Sequence, residues 1–154
     1  MPDASLLTDE VRAMVGEETP MGRVRVTPKA YRRALEVYTG RIPRSAPAPG
    51  EPVPGYVLAA LDSEADTPAM PSLLPNSLLI SNEWQFERPL RMGEEFESVY
   101  SVVAINERFG GRFGYSIDFR AEVIFKDPHG NPVARSGRTM TQYSAAEARD
   151  GGGT

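Results

Sequence analysis

The sequence predicts an α+β fold in which a long antiparallel sheet wraps around a central apolar helix, with an extra helix at the N-terminus. Helical spacing of apolar residues occurs between Thr8 and Gly40, and a proline-rich segment with one wholly apolar run follows. From Leu78 onward, apolar and polar residues alternate as they do in strands. Curling the sheet around one helix buries the apolar face of both. Such a sheet keeps an open edge, which dimerisation can cover.

Composition excludes several classes of protein. The 154 residues contain no cysteine and one histidine, His129. Disulfide scaffolds, cysteine or multi-histidine metal sites and a Cys–His pair are therefore excluded, and we expect no metal and no cofactor. The net charge of −4 argues against nucleic acid as the partner. No apolar stretch is long enough to cross a membrane and no signal peptide is evident, so a cytoplasmic location is expected.

The length fits one domain with a substantial core. We expect a flexible N-terminus over residues 1–6, a single domain over residues 7–143 and a flexible tail over residues 144–154, which ends in three glycines and a threonine.

Capping residues delimit two helices in the first part of the chain. Thr8 can cap a first helix that ends at Gly16, and a short strand over residues 23–26 follows. Thr27 and Pro28 are typical of the cap and first position of a second helix, and Gly40 is typical of its end. Between them, one apolar stripe is formed at helical spacing by Tyr31, Ala34, Leu35 and Tyr38.

The apolar run over residues 56–61 lies inside the proline-rich segment 43–75. It is apolar on all sides, which predicts burial on all sides. Its two alanines and single β-branched residue favour a short buried helix over a strand.

The remaining chain predicts four strands. The first includes Trp84 and Phe86, the second covers residues 96–105, and a turn at residues 106–111 follows. The third carries an apolar residue at every odd position from Phe113 to Phe125 and would span roughly 43 Å. Turn-forming residues at 127–132 lead into a fourth strand over residues 133–143.

Few side chains are candidates for function. His129 lies in a turn rich in Asp, Pro, Gly and Asn, where a solvated and chemically idle ring is expected. Arg108 and Arg112 flank the turn before the third strand, either to contact a phosphate or simply to solubilise the turn. Three aromatic residues are candidates for lining a pocket, the alternative being core packing with satisfied polar atoms: Tyr38, Tyr56 and Trp84.

Three stretches resemble one family in their order and spacing. They are residues 7–16 (Leu-Thr-Asp-Glu-Val to Gly), residues 31–40, which end in Thr-Gly, and residues 84–94 (Trp-Gln-Phe-Glu-Arg-Pro-Leu-Arg-Met-Gly-Glu). Together they resemble the MaoC-like family of (R)-specific enoyl-CoA hydratases and 3-hydroxyacyl dehydratases, and most closely its N-terminal, FAS1-like dehydratase half. The resemblance implies a hotdog fold and an acyl-CoA or acyl-carrier thioester as ligand.

The family's catalytic motif is incomplete in this chain. Active members carry Thr-Gly-Asp-x-Asn-Pro-x-His, in which the Asp and the His are the acid–base pair. Here Thr39 and Gly40 are followed by Arg41 in place of the Asp, and Ser45 falls near the histidine position. Arginine does not give up its proton near neutral pH. The resemblance therefore implies a half without catalytic residues of its own.

Three functions follow as hypotheses. The first is a non-catalytic subunit that pairs with a catalytic MaoC-like subunit to form an enoyl-CoA hydratase or dehydratase. The second is a hotdog thioesterase that uses a carboxylate such as Asp62 or Glu64 and water. The third is a homodimeric module that binds an acyl thioester without chemistry. The long proline-rich segment either widens the acyl pocket or is a tolerated surface loop.

Overall fold

The computed structural model describes residues 5–145, and the remaining parts of the predicted flexible ends, residues 1–4 and 146–154, lie outside the described residues. Two α-helices, one 3₁₀ helix and seven strands follow one another along the chain. They are α1 (Asp9–Arg12), β1 (Glu18–Arg25), α2 (Pro28–Thr39), β2 (Pro52–Val53), the 3₁₀ helix (Gly55–Ala60), β3 (Asn76–Phe86), β4 (Leu90–Arg91), β5 (Glu95–Arg108), β6 (Ser116–Lys126) and β7 (Pro132–Tyr143).

Five long strands form one antiparallel sheet in the order β1-β5-β6-β7-β3, while β2 and β4 pair separately. This confirms the predicted α+β class and the long antiparallel sheet. The third predicted strand begins at Ser116, because residues 111–115 complete the turn and Phe113 stacks on Tyr143 with ring centroids 4.3 Å apart. The first strand is longer than expected and contains a bulge between Pro20 and Gly22.

The alternation along β6 places the core on the concave face of the sheet. Ile117, Phe119, Ala121 and Phe125 are buried, and each belongs to one of three apolar clusters. One cluster packs against α2 and the 3₁₀ helix, and another packs against α1 and residues 73–74. The concave face is therefore covered at its two ends by different elements.

Capping signals set the limits of α2 as the sequence predicts. The Thr27 hydroxyl accepts a hydrogen bond from the Ala30 amide (3.1 Å), and Gly40 ends the helix at a φ of 74°. In α1 the Thr8 cap is present (3.2 Å to the Val11 amide), but the helix ends at Arg12. The chain leaves the helical path after Arg12 because Val15 forms a β-bridge with Val102 of β5.

The predicted central helix is a single six-residue 3₁₀ helix rather than an α-helix. Its hydrogen bonds have the shorter i to i+3 spacing, as between the Val57 amide and the Pro54 carbonyl (3.1 Å). Val57 and Leu58 are buried, whereas Ala59 is exposed, so the prediction of burial on all sides was wrong. A helix this short covers only part of the concave face, and α2 and α1 cover more of it.

The convex face carries a layer of ion pairs. Arg108 pairs with Asp118 (3.0 Å), and Arg135 lies 3.7 Å from Glu122. The longest of these contacts spans three strands. The Arg120 guanidinium of β6 crosses over Gly137 of β7 and forms an ion pair with Glu83 of β3 at 2.7 Å. A Cβ at residue 137 would lie 2.5 Å from that guanidinium, so a larger residue there would displace the Arg120 side chain. The described helices include none that is long and apolar enough to span a membrane.

The start of the described chain is anchored to β5 through Glu107. Its carboxylate accepts hydrogen bonds from the Ser5 hydroxyl and the Tyr115 hydroxyl, both 2.6 Å long, and pairs with Arg12 at 3.3 Å. Ser5 and Leu6, predicted to be flexible, are thus held in place, Leu6 by a bond from its amide to Tyr115 (3.2 Å). These hydrogen bonds lower the pKa of the Glu107 carboxyl.

We predict that Glu107→Gln lowers the melting temperature at neutral pH. A carboxyl whose pKa is lowered by folding stabilises the fold while ionised, and this contribution is lost as the pH falls through the lowered pKa. Thermal melts between neutral and acidic pH should therefore show a smaller acid-induced loss of stability in the variant. Glu97→Gln on the same strand is the control, because Glu97 only pairs with exposed Arg23 at 3.4 Å. Equal pH profiles for the wild type and Glu107→Gln would contradict the prediction.

Candidate functional site

The middle of the concave face is left open as a groove between the two covered ends. Two adjoining cavities make up this groove, with volumes of about 400 and 230 Å³. Both are lined by Thr67, Tyr100, Ala121 and Arg138, so they form one continuous space. Its size falls in the range of small-molecule sites.

The groove is lined by apolar and polar side chains in similar numbers. The apolar side chains of the larger cavity come from the sheet and from the segment after the 3₁₀ helix, and they include Met70, Leu74, Phe119 and Met140. The smaller cavity lies nearer the 3₁₀ helix, and its apolar lining includes Met21, Leu58, Trp84, Val123 and Phe125. Hydroxyl and amide side chains make up most of the remaining lining of both cavities. The proline-rich segment supplies part of the wall, through residues 67–75.

Gln142 fixes one wall of the groove. Its side-chain oxygen accepts hydrogen bonds from the amides of Leu73 (2.9 Å) and Leu74 (3.2 Å), and its nitrogen donates to the Pro71 carbonyl (2.8 Å). Gln142 is buried, so these three bonds replace water for a segment without regular secondary structure. No local pattern in the sequence indicates this contact, because 68 to 71 residues separate the partners.

Two polar side chains face each other across strands at the junction of the two cavities. Tyr100 of β5 is almost fully buried, and Arg138 of β7 is exposed within the groove. Burial raises the pKa of the Tyr100 phenol, and the Arg138 charge partly opposes that rise. Asn82 of β3 lies directly opposite Arg138 in the sheet register and lines the same cavity.

The three predicted aromatic residues lie together. The Tyr38 and Tyr56 rings stack with centroids 4.8 Å apart, and Trp84 meets Tyr38 edge-on at 6.3 Å. This cluster joins α2, the 3₁₀ helix and β3 beside the smaller cavity. Trp84 lines that cavity, whereas the two tyrosines pack behind it.

The two predicted arginines lie at the other end of the sheet. Arg108 is paired with Asp118 and also bonds the Thr141 hydroxyl at 3.1 Å, on the convex face. The Arg112 guanidinium lies over the Phe113 ring, 5.8 Å from its centroid. When the strand pairing is followed from β5 through β6 and β7 to β3, Arg108 lies at the same height in the sheet as Asn76. Asn76 is eight residues before Trp84 along β3. Eight residues of strand span about 26 Å, so the arginines and the aromatic cluster do not form one site.

The position of the family's acid–base pair follows directly after α2. Here the Thr39 hydroxyl donates to the Leu35 carbonyl (2.5 Å) and accepts from the Arg41 amide (3.3 Å). Arg41 and Ser45 are exposed and line neither cavity of the groove. Neither residue is suited to take or give a proton near neutral pH.

The two carboxylates considered for a thioesterase lie outside the groove. Asp62 is exposed and lies 3.7 Å from Arg33. Glu64 accepts a hydrogen bond from the Arg23 amide at 3.0 Å and packs against Gly22 in the bulge of β1. Both line a separate cavity of about 340 Å³ between β1 and α2. Their contacts are those of residues that hold the edge of the fold.

His129 is exposed at the tip of the hairpin between β6 and β7. The Asp127 carboxylate accepts hydrogen bonds from the backbone amides of His129 and Asn131, each at 2.9 Å. These hydrogen bonds order the turn and lower the pKa of Asp127. Neither groove cavity includes this residue. Among residues 5–145, no group of three histidine or acidic side chains is placed to hold a metal ion.

Solved structures with the same fold include hotdog dehydratases. One chain of the ChsH1–ChsH2 complex from Mycobacterium tuberculosis matches with a TM-score of 0.63 and 13% identity over 93% of this chain and 90% of that chain. A MaoC-like dehydratase from Rhodospirillum rubrum matches with a TM-score of 0.55 and 18% identity over 84% and 92%. These similarities show that the chain has the hotdog fold of MaoC-like dehydratases.

A third similarity is partial. The HadBC complex of M. tuberculosis, a 3R-hydroxyacyl-ACP dehydratase, matches at a TM-score of 0.36 and 16% identity, over 42% of this chain and 43% of that chain. This chain thus spans less than half of that subunit in the match. No protein-family model matches the sequence, and no curated protein is similar enough to count as a match.

We predict that Gln142→Leu loosens the wall of the groove. The change leaves two amides and one carbonyl without partners, and each unsatisfied buried group costs about 1–3 kcal/mol. The free energy of unfolding should fall by at least about 2 kcal/mol, and amide exchange should accelerate at Leu73 and Leu74. Gln85→Leu on exposed β3 is the control. Unchanged exchange at both amides would show that the segment is held by other contacts.

Proposed function

We propose that this chain is a non-catalytic hotdog subunit, which pairs with a homologous catalytic subunit to form a cytoplasmic 2-enoyl-CoA hydratase or 3-hydroxyacyl dehydratase. Its own contribution is to bind part of the acyl thioester. The observation that carries the proposal is the combination of a ligand-sized groove with an acid–base position that holds Arg41 and Ser45.

The groove supports a binding role without chemistry. Its lining combines apolar side chains with Tyr100, Arg138 and uncharged amides and hydroxyls. Hydration of an enoyl thioester needs a base to activate water and an acid to protonate the α-carbon. Among residues 5–145, no carboxylate or histidine lines either cavity of the groove, which supports proton-transfer groups that belong to another chain.

The edge strand β3 supports the pairing. Within residues 5–145 it is bonded only to β7, so the backbone groups on its other side are open there. Three consecutive apolar residues on this edge are about half exposed, Leu78, Leu79 and Ile80. A long apolar edge is a template for pairing with another sheet. A second hotdog sheet that adds to this edge would cover both the backbone groups and the apolar side chains. The similar ChsH1–ChsH2 chain comes from a two-subunit complex.

The purified chain alone should not hydrate crotonyl-CoA. Activity should appear when a hotdog subunit that carries the intact Asp-x-Asn-Pro-x-His motif is added, because that subunit supplies the acid and the base. The absorbance of the enoyl thioester reports hydration directly. Replacing the Asp and the His of the added subunit by Asn and Gln is the control, and it should abolish the activity. Hydration by this chain alone at ordinary enzyme rates would overturn the proposal.

The same preparations separate the other two functions. A thioesterase would release free thiol from acyl-CoA esters, and Asp62→Asn would abolish the release. A homodimeric binding module would bind CoA esters without turnover and would form no complex with the catalytic subunit. Either result would favour that function over the proposed pairing with a catalytic subunit.

We predict that Ile80→Asp prevents assembly with the second subunit. A buried carboxylate at the centre of the β3 edge would have no partner, and burying an unpaired charge is strongly unfavourable. Light scattering coupled to size-exclusion chromatography should show the wild type as a complex and the variant as separate chains. Val37→Asp is the control, because Val37 is 71% exposed on α2, away from the sheet edge. Assembly of Ile80→Asp at wild-type affinity would place the interface elsewhere.

A further inference from the structure

The groove contains a cationic group and a hydroxyl that the fold itself does not use. Within residues 5–145, no carboxylate lies within 4.0 Å of the Arg138 side chain, although the other sheet arginines at Arg108, Arg120 and Arg135 each have one. The Tyr100 hydroxyl likewise makes no hydrogen bond to those residues, and because none of their buried side-chain oxygens lacks a partner, this hydroxyl is open to the groove. Both groups line both cavities.

The other side chains around this pair carry no charge. Beside Arg138 and Tyr100 the walls are formed by apolar Ala121, Trp84 and Met140 and by uncharged hydroxyl and amide side chains. A guanidinium has five donors and no acceptor, and it binds a carboxylate through two parallel hydrogen bonds. The tyrosine hydroxyl and the Asn82 amide add further donors at the same place. A cluster of donors around one positive charge is complementary to an anionic group that only accepts.

We propose that Arg138, with Tyr100 and Asn82, binds a carboxylate carried by the acyl chain of the ligand, so that the groove selects acyl thioesters with a second acid group. This inference rests on the proposed function, since it names the class of acyl thioester that the groove takes. The junction of the two cavities lies on the inner face of the sheet, where an acyl chain in the groove would pass. A carboxylate there would give the Arg138 guanidinium the ion pair that the other sheet arginines have on the convex face.

Matched pairs of ligands test this selectivity. Hexanoyl-CoA and the CoA monothioester of hexanedioic acid have the same chain length and differ in the terminal carboxylate. The corresponding pairs of eight-carbon and ten-carbon thioesters place the terminal carboxylate at different depths in the groove. Trp84 is the only tryptophan and lines the smaller cavity, so its fluorescence reports binding to the full-length chain. Arg138, Tyr100 and Asn82 all belong to this chain, so the titration is made with this chain alone and again with the catalytic subunit added.

At one chain length or more, the dicarboxylic thioester should bind roughly 10-fold or more tightly than its matched partner. Arg138→Gln should weaken binding of the dicarboxylic thioester far more than binding of hexanoyl-CoA, and so remove this advantage. Tyr100→Phe should reduce the advantage while keeping the ring that packs the core. Arg135→Gln is the control, because Arg135 lies three residues away on β7 and pairs with Glu122 at 3.7 Å. Circular dichroism checks that each variant is folded. Arg138→Lys, which keeps the charge, is measured in place of any variant that does not fold.

Three outcomes would overturn the inference. Equal affinity within every ligand pair would show that the groove does not recognise a carboxylate, and the proposed acyl-binding role would stand. Equal weakening of free CoA and of all thioesters by Arg138→Gln would show that the guanidinium contacts the phosphates of CoA. No binding of any thioester would overturn both the inference and the proposed acyl-binding role.

Discussion

The two-residue alternation along β6 is the constraint on which the rest of the structure depends. Because β6 is the central strand, its inward side chains contact everything that covers the concave face. Phe125 meets the cluster under α2 and the 3₁₀ helix, while Ile117 and Phe119 meet α1. A shift of one residue would turn all of these side chains outward and bring Asp118 and Arg120 into the core. The ion pairs of the convex face and the apolar core are thus fixed by the same register.

The open groove follows from how the two ends are covered. The 3₁₀ helix is too short to lie along the whole sheet, and α1 reaches only the opposite end. Small Ala121 lies between them and leaves room that a larger side chain would fill. The three hydrogen bonds of the Gln142 side chain then hold the proline-rich segment as a wall of the groove and keep it from collapsing onto the sheet. Of the two alternatives for that segment, the structure shows it contributing to the cavity.

The sequence predicted the parts of the fold that depend on local chemistry. The caps of α2, the alternation of β6 and the hairpin at His129 each involve residues close together in the chain. Tyr38, Tyr56 and Trp84 were each singled out from the apolar pattern around them, but only the folded chain shows that their rings lie together. Arg138 and Tyr100 were missed for a physical reason. The inner face of β7 carries Ala, Ser, Arg, Met and Gln, so hydropathy does not distinguish its two faces, and only strand pairing places Arg138 in the groove.

The two edges of the sheet differ in a way that limits how it can grow. The outer strand β1 is interrupted by Pro20 and a bulge, and Arg23 and Arg25 pair with Glu95 along it. Proline, bulges and charges are the means by which edge strands resist pairing. β3 also has a bulge, between Leu79 and Ser81, but it presents exposed apolar residues instead of a proline and ion pairs. The sheet therefore has one edge suited to pairing and one edge that opposes it. Were two copies to pair through β3, only β1 would face outward, and the residues that finish the sheet at β1 would oppose growth into a ribbon of many copies.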